Sequence, residues 1–169
     1  MYKRILVPID GSAQSGKGLD EAIGLAKEQG SHIRLVHVVN RAPLASPDLT
    51  GARFDALFEQ IRDDGRRLLA SAEAYVRKAG VAVDVKLLNA TTSAPSDFID
   101  QEACEWPADL IVCGTHGRKG ILRAVLGSDA EQIFRKSPVP VLLVPTHSDS
   151  NPVRPKDVTE AQDNEAQDN

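Results

Sequence analysis

Asp109 to Gly120 reads DLIVCGTHGRKG. Four apolar residues in a row, Leu110 to Cys113, give way to glycines at 114, 117 and 120. A short continuous apolar run bounded by turn residues is what a strand buried on both faces of a parallel sheet looks like. Outward from it, four further segments read as strands. Tyr2 to Ile9 (YKRILVPI) and His32 to Val39 (HIRLVHVV) are rich in branched apolar residues. Val81 to Leu88 alternates at Val81, Val83, Val85 and Leu87, as a half-buried strand does. Val139 to Val144 (VPVLLV) is the fifth, and Pro140, which has no N–H for a ladder, assigns it to an edge.

Helical spacing fills the intervals. Leu19, Ala22, Ile23 and Ala26 share a face, and Gly30 stops the helix. Phe54, Leu57, Phe58, Ile61, Leu68, Leu69, Ala72, Tyr75 and Val76 form a longer stripe that ends at Gly80. Asp97 to Cys104 is short, with Phe98 and Ile99 as its apolar contacts and Trp106 capping its end against the sheet. Ser128 to Lys136 begins with Ser and Asp and ends with Arg and Lys, the charge order that a helix dipole favours. The order βαβαβαβαβ predicts an α/β doubly wound five-stranded parallel sheet, Rossmann-like, with helices on both faces. Such sheets bind ligands at the carboxyl ends of the strands, where the winding reverses. With strand order 3-2-1-4-5, the loops after strands 1 and 4, starting at Asp10 and Gly114, face that crevice.

Composition narrows the class. The 169 residues carry a net charge of −4, which argues against a broad nucleic-acid footprint. They suffice for one domain with a real core without disulfides or metals. No run of 18 apolar residues could span a bilayer. The apolar run near Met1 is too short for a signal-peptide core, and Cys104 and Cys113 make no CxxC, so a reduced cytoplasmic protein is expected. Residues 1–145 are read as the domain and 146–169 as an acidic, disordered tail. That segment has six acids against two bases, two valines as its only sizeable apolar residues, and a tandem EAQDN repeat from Glu160 to Asn169. It cannot bury enough surface to offset its ordering entropy, although a docking peptide is the alternative.

Two segments offer phosphate chemistry. Glycines at 114, 117 and 120, the cations Arg118 and Lys119, and Gly127-Ser128 opening a helix combine close backbone approach, positive charge and free N–H groups. The bland counterpart is a surface loop before a capped helix. Gly11 to Lys17 matches GxxxxGK, but the Ser or Thr that would hold Mg²⁺ is replaced by Gly18, and no later strand ends in Asp. A capped first helix accounts for that segment. His116 has no sequence-paired nucleophile, and His32, His37 and His147 have no metal-ligand spacing. His37 reads as a hydrogen-bonded core histidine, and Cys113 as packing beside the crevice rather than reactive thiol.

VPIDGS at 7–12, LVHVV at 35–39, DLIVCGTHGRKG at 109–120 and GSDAEQIFRKSPVPVLLV at 127–144 resemble the universal stress protein family over about residues 2–145. The spacing G-2x-G-9x-G-S at Gly114, Gly117, Gly127 and Ser128 is similar to that of the family's ATP-binding subgroup. The resemblance implies that Pro8 and Asp10 lie beside adenine and ribose and that Val38 packs on the base. It implies that Gly114, Thr115, His116, Gly117, Arg118, Lys119 and Gly120 wrap ribose and phosphates, while Gly127, Ser128, Asp129 and Ala130 hold the terminal phosphates. The implied ligand is ATP with Mg²⁺ bound through its phosphates, with AMP or cyclic AMP as alternatives. Asp129 departs from the family's small neutral residue or valine. It could ligate Mg²⁺, favour a shorter nucleotide, or simply sit at the positive end of the helix dipole. The resemblance further implies a nucleotide-responsive regulator in stress adaptation that forms a homodimer by antiparallel pairing of Val139 to Val144. A slow ATPase or phosphotransfer protein, and an interaction module with an empty pocket, are the competing functions.

Overall fold

The structure, a computed structural model, describes residues 1–40, 51–90, 94–116 and 128–146. Its elements alternate as expected: β1 (Arg4–Pro8), α1 (Ala13–Gln29), β2 (His32–Asn40), α2 (Ala52–Lys78), β3 (Ala82–Ala90), α3 (Pro95–Glu105), β4 (Leu110–His116), α4 (Ser128–Lys136) and β5 (Val141–Thr146). The strands form one parallel sheet in the order β3-β2-β1-β4-β5. Ile5 is the central register point, paired with Ile33 on one side and Leu110 on the other.

Alternation along the strands sorts the core into two layers. Ile5, Val7, Ile33, Leu35, Leu110 and Val112 face α1 and α2, meeting Leu19, Ala22, Ile23, Leu69 and Val76. Leu6, Val36, Ile111 and Cys113 face α3 and α4, meeting Ile99, Ala103 and Ile133. The chain thus winds outward through β1, β2 and β3 on one face, then restarts at β4 and winds the other way on the opposite face. Helix boundaries follow local chemistry. Ser12 caps α1 by accepting from the Ser15 N–H at 3.1 Å, and Gly30 ends it in the left-handed region at φ +63°.

Several expectations shift. β5 begins at Val141 rather than Val139: Pro140 lacks an N–H and contributes only its carbonyl, which accepts from the Ile111 N–H at 3.0 Å. β5 also runs to Thr146, two residues past its expected end at Val144, where the Thr146 hydroxyl donates to the Thr115 carbonyl at 3.1 Å. The remainder of the tail, 147–169, lies outside the described residues. Gly114, Thr115 and His116 belong to β4 instead of a loop. Tyr75, placed by periodicity in the apolar stripe of α2, is 54% exposed, because its hydroxyl reaches across to Asp20 on α1 at 2.9 Å. Val85 is 36% exposed, as an outermost strand permits.

α3 is fastened to the sheet by charge as well as by packing. Glu102 is 1% exposed, yet Arg34 of β2 donates to it at 2.9 Å and Lys86 of β3 pairs with its other oxygen. Arg34 also grips Asp84 and lies 4.7 Å over the ring of Trp106, which caps α3 as expected. On the opposite face α1 makes the closest approach. A Cβ on Gly114 would stand 1.8 Å from the Gln14 carbonyl oxygen, and one on Gly18 2.7 Å from the Gly114 nitrogen.

Two predictions follow from these contacts. Gly18→Ala is expected to destabilise the protein by about 1–3 kcal/mol, because the overpacking against β4 outweighs the gain in helix propensity. The exposed Gly24, with nothing within 4 Å of its missing Cβ, should instead gain about 0.5–1 kcal/mol on conversion to Ala. Urea melts of both variants check the contrast in sign. Arg34→Met should cost about 3 kcal/mol by leaving the Glu102 carboxylate under-compensated, and adding Glu102→Met should recover most of it; equal losses in the single and double variants would contradict this.

Candidate functional site

β1 ends at Pro8, and the chain leaves the sheet through Ile9 and Asp10. Gly11 turns it at φ +82°, a conformation that side chains disfavour, and Ser12 starts α1. The turn is held by short hydrogen bonds. Ile9 N–H donates to the Val36 carbonyl at 2.8 Å, and Ser12 N–H donates to Asp10 Oδ1 at 2.8 Å. Behind it lies a cavity of about 250 Å³ at the carboxyl ends of β1, β2 and β4. It occupies the switch point of the winding, the place where open α/β sheets take ligands.

The walls divide by chemistry. The rim toward α1 is polar: Asp10, Ser12, Gln14 and Ser15. The floor is apolar, formed by Val36 and Cys113 from the sheet with Ile99 of α3 and Ile133 of α4. Pro8, Val38 and Ala130 complete the sides. Burial pushes the Asp10 carboxyl up, but hydrogen bonds from the side chain and backbone of Ser12 and from Ser15 outweigh it, so Asp10 titrates below the usual carboxylate value. The site therefore presents an anionic acceptor above a largely apolar hollow. A ligand that suits it has an apolar planar part and hydroxyl donors beside it.

Of the residues proposed from sequence, Pro8, Asp10, Val38, Gly114 and Ala130 line this cavity. Thr115 is buried within β4 and does not line it. Gly114 touches the cavity, but its missing Cβ is already explained by the Gln14 backbone above it. His116, Ser128 and Asp129 fall in described backbone at the ends of β4 and α4, with nothing described of their side chains. Gly117, Arg118, Lys119, Gly120 and Gly127 lie outside the described residues. Sequence reasoning missed Ser12, Gln14 and Ser15 as wall residues, although the Asp-Gly-Ser turn after a strand signals a capped helix pointing at the crevice. GxxxxGK is not a phosphate loop here: the helix already starts at Ala13, so Gly16 and Lys17 lie within it. His37 is a bonded core histidine as expected, its Nδ1 2.8 Å from the Ile9 carbonyl, yet it also lines the cavity.

Residues 1–145 match the model of the universal stress protein family. The universal stress protein YxiE of Bacillus subtilis is 32% identical over 150 residues, covering 85% of this chain and 99% of that one. A universal stress protein of Methanocaldococcus jannaschii is 31% identical over 144 residues, covering 85% of this chain and 82% of the relative. Among solved structures, a universal stress protein family member from Burkholderia pseudomallei superposes with a TM-score of 0.70 at 31% identity, covering 86% of this chain and 97% of that one. More distant folds include a universal stress protein in complex with cAMP (22% identity, TM-score 0.59, 85% and 97% covered). Another is the Archaeoglobus fulgidus protein in complex with dAMP (24% identity, TM-score 0.59, 85% and 98% covered).

The two cysteines sit in different surroundings. Burial, with the Asp100 charge as a lesser cause, pushes the Cys113 thiol up to about 12, whereas Cys104 is exposed on α3. Because thiolate is the reactive form, a thiol reagent at pH 8 should modify one cysteine per native chain, Cys104, and both after denaturation. Rapid modification of Cys113 in the native protein would show that the floor is wet.

Proposed function

The chain belongs to the universal stress protein family, and on that premise we propose that it binds an adenine nucleotide in the cavity at the carboxyl ends of β1, β2 and β4. The observation that carries this reading is the joining of an apolar floor and an ionised Asp10 in one hollow. Val36, Val38, Ile99 and Ile133 offer a purine ring apolar contact. Asp10 offers ribose hydroxyls an acceptor, as an acidic residue does in other nucleotide-binding α/β folds. The complexes of two family structures with cAMP and dAMP support the same ligand class.

The finer reading is ATP with Mg²⁺, the metal reaching the protein through the phosphates. Among the described residues, no group of three or more His, Cys, Asp or Glu could hold a metal by itself. When bound, Mg²⁺ would neutralise phosphate charge. Arg118 and Lys119 in the sequence, and the start of α4 at Ser128, would supply cations and N–H groups for the same end. The protein then acts as a nucleotide-responsive regulator in stress adaptation, in a reducing cytoplasm. Val139 to Val144 is proposed as its homodimer seam: β5 is an outermost strand, with Val141 to Val144 only partly buried.

Mass spectrometry of nucleotide released from the purified, denatured protein tests the reading. ATP, AMP or cyclic AMP near one per chain is the expected result and identifies the ligand. Calorimetric titration should then show Asp10→Ala binding at least tenfold more weakly, a loss of about 1.4 kcal/mol, with a modest fall in Tm from the lost Ser12 hydrogen bond. A wild-type protein that carries no nucleotide and fails to bind Mg-ATP, AMP or cyclic AMP would overturn the reading in favour of an interaction module.

A further inference from the structure

We propose that His37 is the positioning residue of the nucleotide site: its Nδ1–H, donated to the Ile9 carbonyl beneath α2, holds the turn that presents Asp10. The inference rests on the adenine-nucleotide reading for its functional consequence, but its structural content stands on contacts within this chain.

The paired register of β1 with β2 ends at Pro8 opposite Val36. Beyond that point the β1 chain must leave the sheet while keeping its backbone groups bonded. Ile9 is nevertheless clamped on both sides by β2. Its N–H donates to the Val36 carbonyl at 2.8 Å, and its carbonyl lies 2.8 Å from His37 Nδ1. The side chain of His37 thus stands where a continuing ladder would offer a backbone N–H. A carbonyl only accepts, so the proton of the neutral ring must sit on Nδ1. The next residue along the chain is Asp10, whose Oδ1 in turn receives the Ser12 N–H.

The far edge of the ring is fixed as well. α2 crosses it at Gly65, where a Cβ would stand 2.7 Å from His37 Cδ2 and 2.9 Å from the Leu87 side chain. A glycine at that point lets the helix lie directly on the imidazole. A few residues on, Leu68 of α2 packs at van der Waals distance from the space above Gly11. The same helix therefore presses on both the histidine and the turn that it bonds. Nothing else in the described structure requires a hydrogen-bonding ring at position 37. Phe would fill the same space without the donor. Asn branches at the same atom and returns a donor to the Nδ1 position.

Those two variants separate the donor from the volume. ¹⁵N NMR of the nucleotide-free protein should show His37 in the Nδ1-protonated tautomer. In His37→Phe, exchange of the Ser12 amide should accelerate about tenfold while that of the Val112 amide, in the central sheet, changes little. His37→Asn should restore slow exchange. With AMP and 2′,3′-dideoxy-AMP as probes, the wild type and His37→Asn should favour the ribose form, and His37→Phe should lose most of that preference while still binding the base. An Nε2-protonated ring, or unchanged Ser12 exchange in His37→Phe, would overturn the proposal. Unchanged sugar preference in His37→Phe would overturn its functional half. If wild-type protein binds none of AMP, its dideoxy analogue, cyclic AMP and Mg-ATP, the nucleotide reading fails, and Ser12 exchange still decides whether His37 holds the turn.

Discussion

The contact on which the site depends is backbone against backbone, between α1 and β4. The first turn of α1 lies over Gly114 so closely that a methyl group there would overlap the Gln14 carbonyl, and Gly18 answers from the helix side. The two glycines are complementary halves of one contact. They allow α1 to start directly above the crevice between β1 and β4, with Ser12, Gln14 and Ser15 on its rim. A helix held one side chain further from the sheet would leave the cavity open to solvent on that side. The cost of glycine in a helix interior, about 1 kcal/mol at Gly18, is offset by this approach.

The opposite wall is held by a different physical interaction. Ile99 and Pro95 reach the cavity from α3, and α3 is tied at its far end by Glu102 to Arg34 and Lys86. A buried ion pair stabilises little against apolar replacement, but it tolerates few alternative positions of the helix. Arg34 is additionally stacked on Trp106 and bonded to Asp84, so the guanidinium has one place to be. At the cavity end, α3 is joined to α4 through Ser96 and Gln132 and through Asp97 and Lys136. The cavity is thus bounded on one side by glycine packing and on the other by charge and hydrogen bonds.

What could be read in the sequence divides along the same line. Period-two and period-3.6 patterns gave the order of elements, and winding rules placed the crevice beside Asp10 and Gly114, because those signals are local or topological. Asp10 was legible because it opens the loop after the first strand, whereas Pro8 and Val38 came from the family resemblance; all three line the cavity. The role of Gly114 was misjudged in part: its neighbour Gln14 is 100 residues away in the chain, and a missing side chain looks the same whether a ligand or a helix fills the space. Tyr75 was assigned to the apolar stripe because periodicity records the ring and not the hydroxyl that reaches for Asp20. His37 could be recognised as a bonded core residue, but its partner Ile9 and the glycine above it come from two other elements. The glycine-rich segment after β4 is legible only as sequence.

The charge state of Asp10 imposes a direction on the proposed ligand. Its folded-state titration lies below the ordinary carboxylate value, so the carboxylate is ionised at neutral pH. Stability from that ionised form is present above the unfolded-state value and is lost as pH falls through the folded one. A phosphate placed 4 Å from such a carboxylate would be repelled by about 4 kcal/mol per pair of unit charges in a partly solvated site. A ribose hydroxyl in the same place donates a hydrogen bond instead. In the proposed complex the sugar of the nucleotide would therefore sit at the α1 rim, its base on the apolar floor, and its phosphates away from Asp10. The start of α4 at Ser128 would offer them the positive end of a helix dipole. Among the described residues, the direction of the proposed ligand thus depends on Asp10, kept ionised by hydrogen bonds from Ser12 and Ser15 in the turn beside His37.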